Sequence, residues 1–316
     1  MGMIEGMAMT RDEIRQAAQL AFAASGQELA MGSAENLPLP LDELLAIDAN
    51  HPLVVESHRS GLTGFVYRLR TDTGDWNIKR ARSSSLVKNP DGQTSFLNEV
   101  QRRCEFEALG ADCPLGIVRT RYASFQQRLI ASDWIVGEVA RRWDERTLTS
   151  LFDLLVDLHL RGFFEWDVSP GNLVDDGKRL WMFDFGYMYR FDPLVDLNSN
   201  GMAAPLFHLA ERFETRTYFA ALLAIEQGEG QDAALKAFVL EKRIAVSAYQ
   251  RLIATLRERG ASASVLNCLQ AITSRWERAL REDPAALYLA EGWRSHRLDL
   301  DDDLRGQTCT RRTRQP

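Results

Sequence analysis

The sequence predicts an α+β protein, with a small antiparallel β region holding one helix and a larger helical region after it. Two patterns carry this. Between residues 50 and 137, short runs rich in β-branched and aromatic residues alternate with turn signals. From residue 147 onward, apolar residues recur at helical spacing. The 316 residues, 45% hydrophobic and 26% charged, are enough for one large domain or two ordinary ones with a sizeable core.

Residues 10–24 read as an Ala-rich amphipathic helix in which Thr10 is the N-cap and Glu13 completes a capping box. A loop closed by Pro38 and Pro40 leads to a second helical signal, LDELLAID. Residues 1–45 are expected to form an N-terminal helical extension. The runs LVVESH, GFVYRLRT, DWNIKRA, GIVRTRY and QRLIASDWIV predict strands, and SFLNEVQRRCEFEAL a helix among them. This β unit spans 46–137. A helical unit follows over 138–298, beginning with LTSLFDLLVDLHLRG, whose leucines share one face and whose Gly162 offers a stop. Residues 203–226, 232–259 and 263–281 continue as helix. Residues 299–316, an acidic run followed by basic residues, are expected to be a disordered tail.

A net charge of −6 argues against general affinity for nucleic acid or anionic membrane. No apolar run is long enough to span a bilayer, and MGMIEGMAMTRDE carries neither a secretory leader nor, with Gly6 in place of Ser or Thr, an acylation signal. The expected location is cytoplasmic. Cys104, Cys113, Cys268 and Cys309 form no CxxC and read as free thiols, and the histidines show no metal-ligand spacing.

The most informative segment is DVSPGNLVDDGKRLWMFDFG, residues 167–186. Asp167 is followed by Asn172 and then by Asp184-Phe185-Gly186, with strand-like runs on each side. That order suits magnesium-assisted phosphoryl transfer: one carboxylate for the acceptor hydroxyl, then an amide and a second carboxylate for metal ions. Upstream, Gly61 and Gly64 sit in a strand–turn–strand pattern, where small residues let backbone amides approach phosphates. Lys79 lies in an otherwise apolar strand, where a cation requires an anionic partner. Glu99, on the helix of the β region and on the stripe of Phe96 and Val100, is the leading partner; Glu105 and Glu107 compete. Arg80 and Arg82 read as solvated neighbours of Lys79.

The order of glycine hairpin, strand Lys, helix Glu, D-x-x-x-x-N and DFG resembles the protein-kinase-like superfamily over about residues 55–210. The resemblance implies a two-lobed fold, with ATP between the lobes and Mg²⁺ as cofactor. Gly61 and Gly64 would cover the phosphates. Lys79, paired with Glu99, would contact the α- and β-phosphates. Asp167 would orient or deprotonate the acceptor hydroxyl, while Asn172 and Asp184 would hold Mg²⁺. Asp133 and Trp134 would lie near the centre of a hinge meeting adenine.

Several positions depart from the regulated protein-kinase pattern. Arg59 replaces the first glycine, Glu165-Trp166 stands where His-Arg is usual, and Ser169 where Ser/Thr kinases carry Lys. Leu206 breaks the APE motif. Asp-x-Ser-x-x-Asn is similar to RIO-type atypical kinases, and the Pro170-Gly171-Asn172 ending to small-molecule phosphotransferases. The resemblance therefore implies an atypical kinase acting on protein Ser or Thr. The alternatives are a small-molecule or lipopolysaccharide-sugar kinase and a nucleotide-binding pseudokinase.

Overall fold

The computed structural model describes residues 9–59 and 61–306. The readings made for residues 1–8 and 307–316, Cys309 included, lie outside the described residues. In chain order the first part comprises α1 (Arg11–Ala24), β1 (Ala30–Gly32), α2 (Leu41–Ala46), β2 (Val54–His58), β3 (Gly64–Thr71), β4 (Gly74–Ala81), α3 (Pro90–Leu109), β5 (Thr120–Ser124) and β6 (Leu129–Asp133). The second comprises β7 (Glu138–Val139), α4 (Glu145–Leu160), β8 (Phe163–Glu165), β9 (Leu173–Asp175), β10 (Leu180–Met182), β11 (Met188–Arg190), α5 (Leu209–Phe213), α6 (Phe219–Glu229), α7 (Gln231–Glu258), α8 (Ala263–Glu282) and α9 (Pro284–Gly306). The protein is thus α+β, an antiparallel sheet followed by a helical region.

The six strands of the first part pair antiparallel in the order β1-β5-β6-β4-β3-β2. Strand alternation gives this sheet two apolar faces. Tyr67, Leu69, Ile78, Tyr122, Leu129 and Ala131 pack with Leu44 and Ile47 on one side. Ala123 and Ile130 pack with Phe96 and Val100 of α3 on the other. Since Ile78 faces α2, its neighbour Lys79 must face α3, and its register partner is Ile130 of the α3 face. The period of two thus delivers the cation to the helix that carries its partner.

The described residues before 46 pack on this sheet and on α3. The Thr10–Glu13 capping box forms, but α1 lies against α3, where Gln19 donates to Asn98 at 3.0 Å. β1 extends the sheet by pairing with β5, and Leu44 of α2 is fully buried in the core.

In the helical region Leu148, Leu151, Leu155 and Leu158 of α4 are buried as the spacing predicts, and Gly162 follows with φ +77°, the left-handed conformation that ends a helix at least cost for glycine. Two readings shift. Regular helix starts at Leu209 rather than 203, and α9 continues through Gly306, so residues 299–306 are helical rather than disordered tail. Lys242, Glu214, Glu291 and Arg294 form a buried ionic cluster joining α7, α9 and the turn before α6. Cys104, Cys113 and Cys268 are free thiols. Among the described residues no helix is long and apolar enough to cross a membrane.

Candidate functional site

Two short antiparallel ribbons, one of them widened by β7 pairing on β9, build the site. β8 pairs with β11, and β9 pairs with β10. Because the chain runs β8–loop–β9–hairpin–β10–loop–β11, loops 166–172 and 183–187 both bridge the two ribbons and lie side by side. The Phe183 amide donates to the Asn172 carbonyl at 3.2 Å and the Trp166 amide to the Tyr187 carbonyl at 3.2 Å. Nested pairing therefore brings Asp167, Asn172 and Asp184 together from separate loops.

Lys79 connects them to the sheet. Its Nζ donates to Glu99 Oε2 at 2.6 Å and lies 2.8 Å from Asp184 Oδ2. Glu99 is 1% exposed, and its other oxygen accepts from Arg103 at 2.8 Å; Arg103 also donates to Thr120 at 2.8 Å. The competing carboxylates go elsewhere: Glu105 pairs with Arg102, and Glu107 sits on the outer surface of α3. Burial acts to lower the Lys79 pKa, but the Asp184 and Glu99 carboxylates outweigh it and hold the ammonium above its usual value. Burial likewise opposes ionisation of Asp184, and Lys79 outweighs it, so this carboxyl titrates below the ordinary range.

Asp184 has φ +68°, a left-handed conformation uncommon outside glycine. Such strain recurs at functional sites. Its side chain remains 36% exposed. Asn98 of α3 clasps the following backbone, its Nδ2 donating to the carbonyls of Phe185, Gly186 and Met188 at 3.0, 3.1 and 2.8 Å. The helix that carries Glu99 is thus tied to the segment that carries Asp184.

Both oxygens of Asp167 are engaged. Oδ2 accepts from Asn172 Nδ2 at 3.1 Å, and Oδ1 lies 3.2 Å from Arg216 Nε. The Asp167 amide donates to Glu165 at 2.7 Å. Burial holds the Glu165 carboxyl well above the usual range, reinforced by the nearby charges of Asp167 and Asp184. With its amide nitrogen turned to Asp167, Asn172 is left with its oxygen for a cation. Asn172 and Asp184 offer two oxygen donors of the kind that a hard cation such as Mg²⁺ takes. Among the described residues no group of three His, Cys, Asp or Glu has a metal-holding arrangement.

Gly61 lies in the β2–β3 connection, and Gly64 opens β3 opposite Ala81. A Cβ on Gly64 would come 2.8 Å from the Arg80 carbonyl and 3.4 Å from Lys79 Cε, so the hairpin can sit over Lys79 only with glycine there. Gly64→Ala is expected to cost about 1–3 kcal/mol by forcing the hairpin off β4, measured by denaturant unfolding; wild-type stability would refute the close approach. Arg82 is not a free surface charge. Its Nε and Nη2 donate to the carbonyls of Gly61 and Arg59 at 2.8 and 2.7 Å, bracing the loop, and Arg80 donates to the Ile47 carbonyl at 2.8 Å.

The segment expected as a hinge lies at the end of β6. β6 ends at Asp133, whose amide donates to the Arg119 carbonyl and whose carboxylate pairs with Arg121 at 2.6 Å. The Trp134 amide donates to the Asp75 carbonyl at 3.4 Å, and Arg68 covers its ring at 4.8 Å. Asp133 thus ends the sheet strand, and residues 134–137 connect β6 to β7. Arg103, Asn98 and Arg216 were missed in the sequence. The i,i+4 spacing of Glu99 and Arg103 was a usable signal for the first; no spacing points to the other two.

No protein-family model matches the chain, and no curated protein matches it.

Proposed function

We propose that the chain is an ATP-dependent phosphotransferase of two-lobed, protein-kinase-like fold, moving the γ-phosphoryl of ATP to a hydroxyl of protein Ser or Thr. The observation that carries this reading is the Glu99–Lys79–Asp184 bridge, 2.6 and 2.8 Å, set beside the hydrogen-bonded pair of Asp167 and Asn172. A buried lysine shared between two carboxylates, one of them partly exposed and backbone-strained, is poised to receive a polyanion.

In this reading Lys79 binds the α- and β-phosphates, and Gly61 and Gly64 admit the backbone to the phosphate chain. Asn172 and Asp184 would hold magnesium, whose contribution is to neutralise charge on the β- and γ-phosphates. Asp167 aims the acceptor hydroxyl at the γ-phosphorus. As the acceptor oxygen bonds to phosphorus, the bond from phosphorus to the β–γ bridging oxygen breaks, ADP keeps the electron pair, and the hydroxyl proton passes to Asp167. Catalysis comes from positioning and electrostatics.

The test is transfer of label from γ-³²P ATP with Mg²⁺, offering a cell lysate, sugars and lipid extracts in parallel, with Asp167→Ala as control. Labelled protein, lost at least ~10²-fold in the variant, is the expected result. Label confined to sugars or lipids would move the acceptor to a small molecule. Nucleotide binding without transfer in any arm would instead indicate a pseudokinase.

A further inference from the structure

We infer that Arg216 is a phosphate-contacting residue of this site, meeting the γ-phosphoryl from the acceptor side opposite Lys79; the inference rests on the phosphotransfer reading above.

Phosphoryl transfer gathers negative charge on the equatorial oxygens of the moving group, and cations on more than one side are needed to offset it. Lys79 lies on the Asp184 side. The loop 168–172 that carries the acceptor side, Val-Ser-Pro-Gly-Asn, contains no cation. Arg216 supplies one from another part of the chain, its Nε 3.2 Å from Asp167 Oδ1.

The local backbone is built to place this side chain. Between α5 and α6 the chain makes one turn of π-helix, Glu214–Tyr218, a rare widening often found at functional sites. Four of its five residues are anchored inward. Glu214 pairs with Lys242 and Arg294, and Thr215 donates to Glu211 at 2.7 Å. Thr217 donates to the Val168 carbonyl at 2.6 Å, and Tyr218 to the Ala237 carbonyl at 2.7 Å. Arg216 is the one turned toward the site, with 24% of its side chain exposed. The Thr217–Val168 bond fixes its height relative to Asp167, and Asp299 of α9, 3.6 Å from Nη1, holds the outer end of the guanidinium.

This arrangement differs from the buried ion pairs of the molecule. The buried pairs of the molecule, such as Arg103–Glu99 and Lys242–Glu214, are closed from solvent on both partners. Arg216 and Asp167 are both partly open, at 24% and 27%, so an incoming anion can reach the guanidinium. A planar fork of donors matches phosphate oxygens bidentately, which an ammonium cannot do.

The test compares binding of Mg·ATP and Mg·ADP by calorimetry in the full chain, wild type against Arg216→Met, Arg216→Lys and Lys79→Ala, with transfer rates measured in parallel. Arg216→Met is expected to weaken ATP about tenfold while leaving ADP within about twofold, and to lower kcat by ~10²-fold or more. Lys79→Ala should weaken both nucleotides. Arg216→Lys should keep part of the preference for ATP. If Arg216→Met does not fold, Arg216→Lys decides: a reduced ATP-to-ADP ratio supports the assignment and an unchanged one overturns it. A residue that only holds Asp167 in place would lower kcat without altering that ratio, and this also overturns the assignment. Wild-type protein that binds neither nucleotide would remove the phosphotransfer reading and the inference together, whereas normal wild-type binding with an unaltered variant removes the inference alone.

Discussion

Glu99→Ala should destabilise the protein by about 3–5 kcal/mol, the scale seen when one partner of a buried ionic network is removed. Glu99 is 1% exposed and divides its two oxygens between Lys79 and Arg103. Without it, Arg103, itself 1% exposed, keeps only the Thr120 hydroxyl, which carries no charge. Lys79 keeps Asp184 alone. The guanidinium cannot relax to solvent because it sits over the Phe185 ring at 5.1 Å inside the packed interface of α3 with the 183–187 loop. Denaturant unfolding at neutral pH measures the effect, and a loss under about 1 kcal/mol would show that the network is not the keystone described. Glu99→Gln should fall between, since it preserves shape and one acceptor but not the charge.

Asp184→Asn is expected to reduce phosphoryl transfer by at least ~10³-fold, the range for losing a principal electrostatic contributor. The carboxylate is both the partner of Lys79 and half of the proposed magnesium pair, so an amide weakens cation binding and leaves Lys79 biased toward Glu99. The fold should persist. At φ +68° asparagine is among the few side chains that tolerate the left-handed region, and the position is partly open to solvent. Initial rates of label transfer, beside thermal unfolding of the same sample, separate the two effects. A variant with wild-type turnover would remove Asp184 from the mechanism.

The parts legible in the sequence were those governed by local periodicity. The strand-like run around Lys79 called for an anionic partner and the Phe96, Glu99, Val100 stripe offered Glu99, which the structure places 2.6 Å away. What escaped notice depended on long-range placement. Arg216 stands far along the chain from Asp167 in an ordinary helical run, and only a π-turn converts it into a neighbour of the site. Asn98 reads as a polar helix residue, yet it clasps three carbonyls within and just after the DFG sequence. Residues 299–306 read as disordered because charge there masks the helical pattern, although Leu298 is buried and Asp299 pairs with Arg216. β1 was too short and too weakly patterned to announce itself as an edge strand. The amides of Asp133 and Trp134 are bonded to the carbonyls of Arg119 and Asp75, pairings that no spacing in the sequence announces.

The most direct check on the site as a whole is thermal unfolding with and without nucleotide. At a hundredfold excess over the dissociation constant, ligand binding adds about 2.7 kcal/mol to the folded state. The account predicts a rise of several degrees in the wild-type midpoint when Mg²⁺ and ATP are present together, little rise with either alone, and a much smaller rise for Lys79→Ala and Asp184→Asn. A wild-type midpoint unmoved by Mg·ATP, or equal shifts in all three proteins, would contradict it.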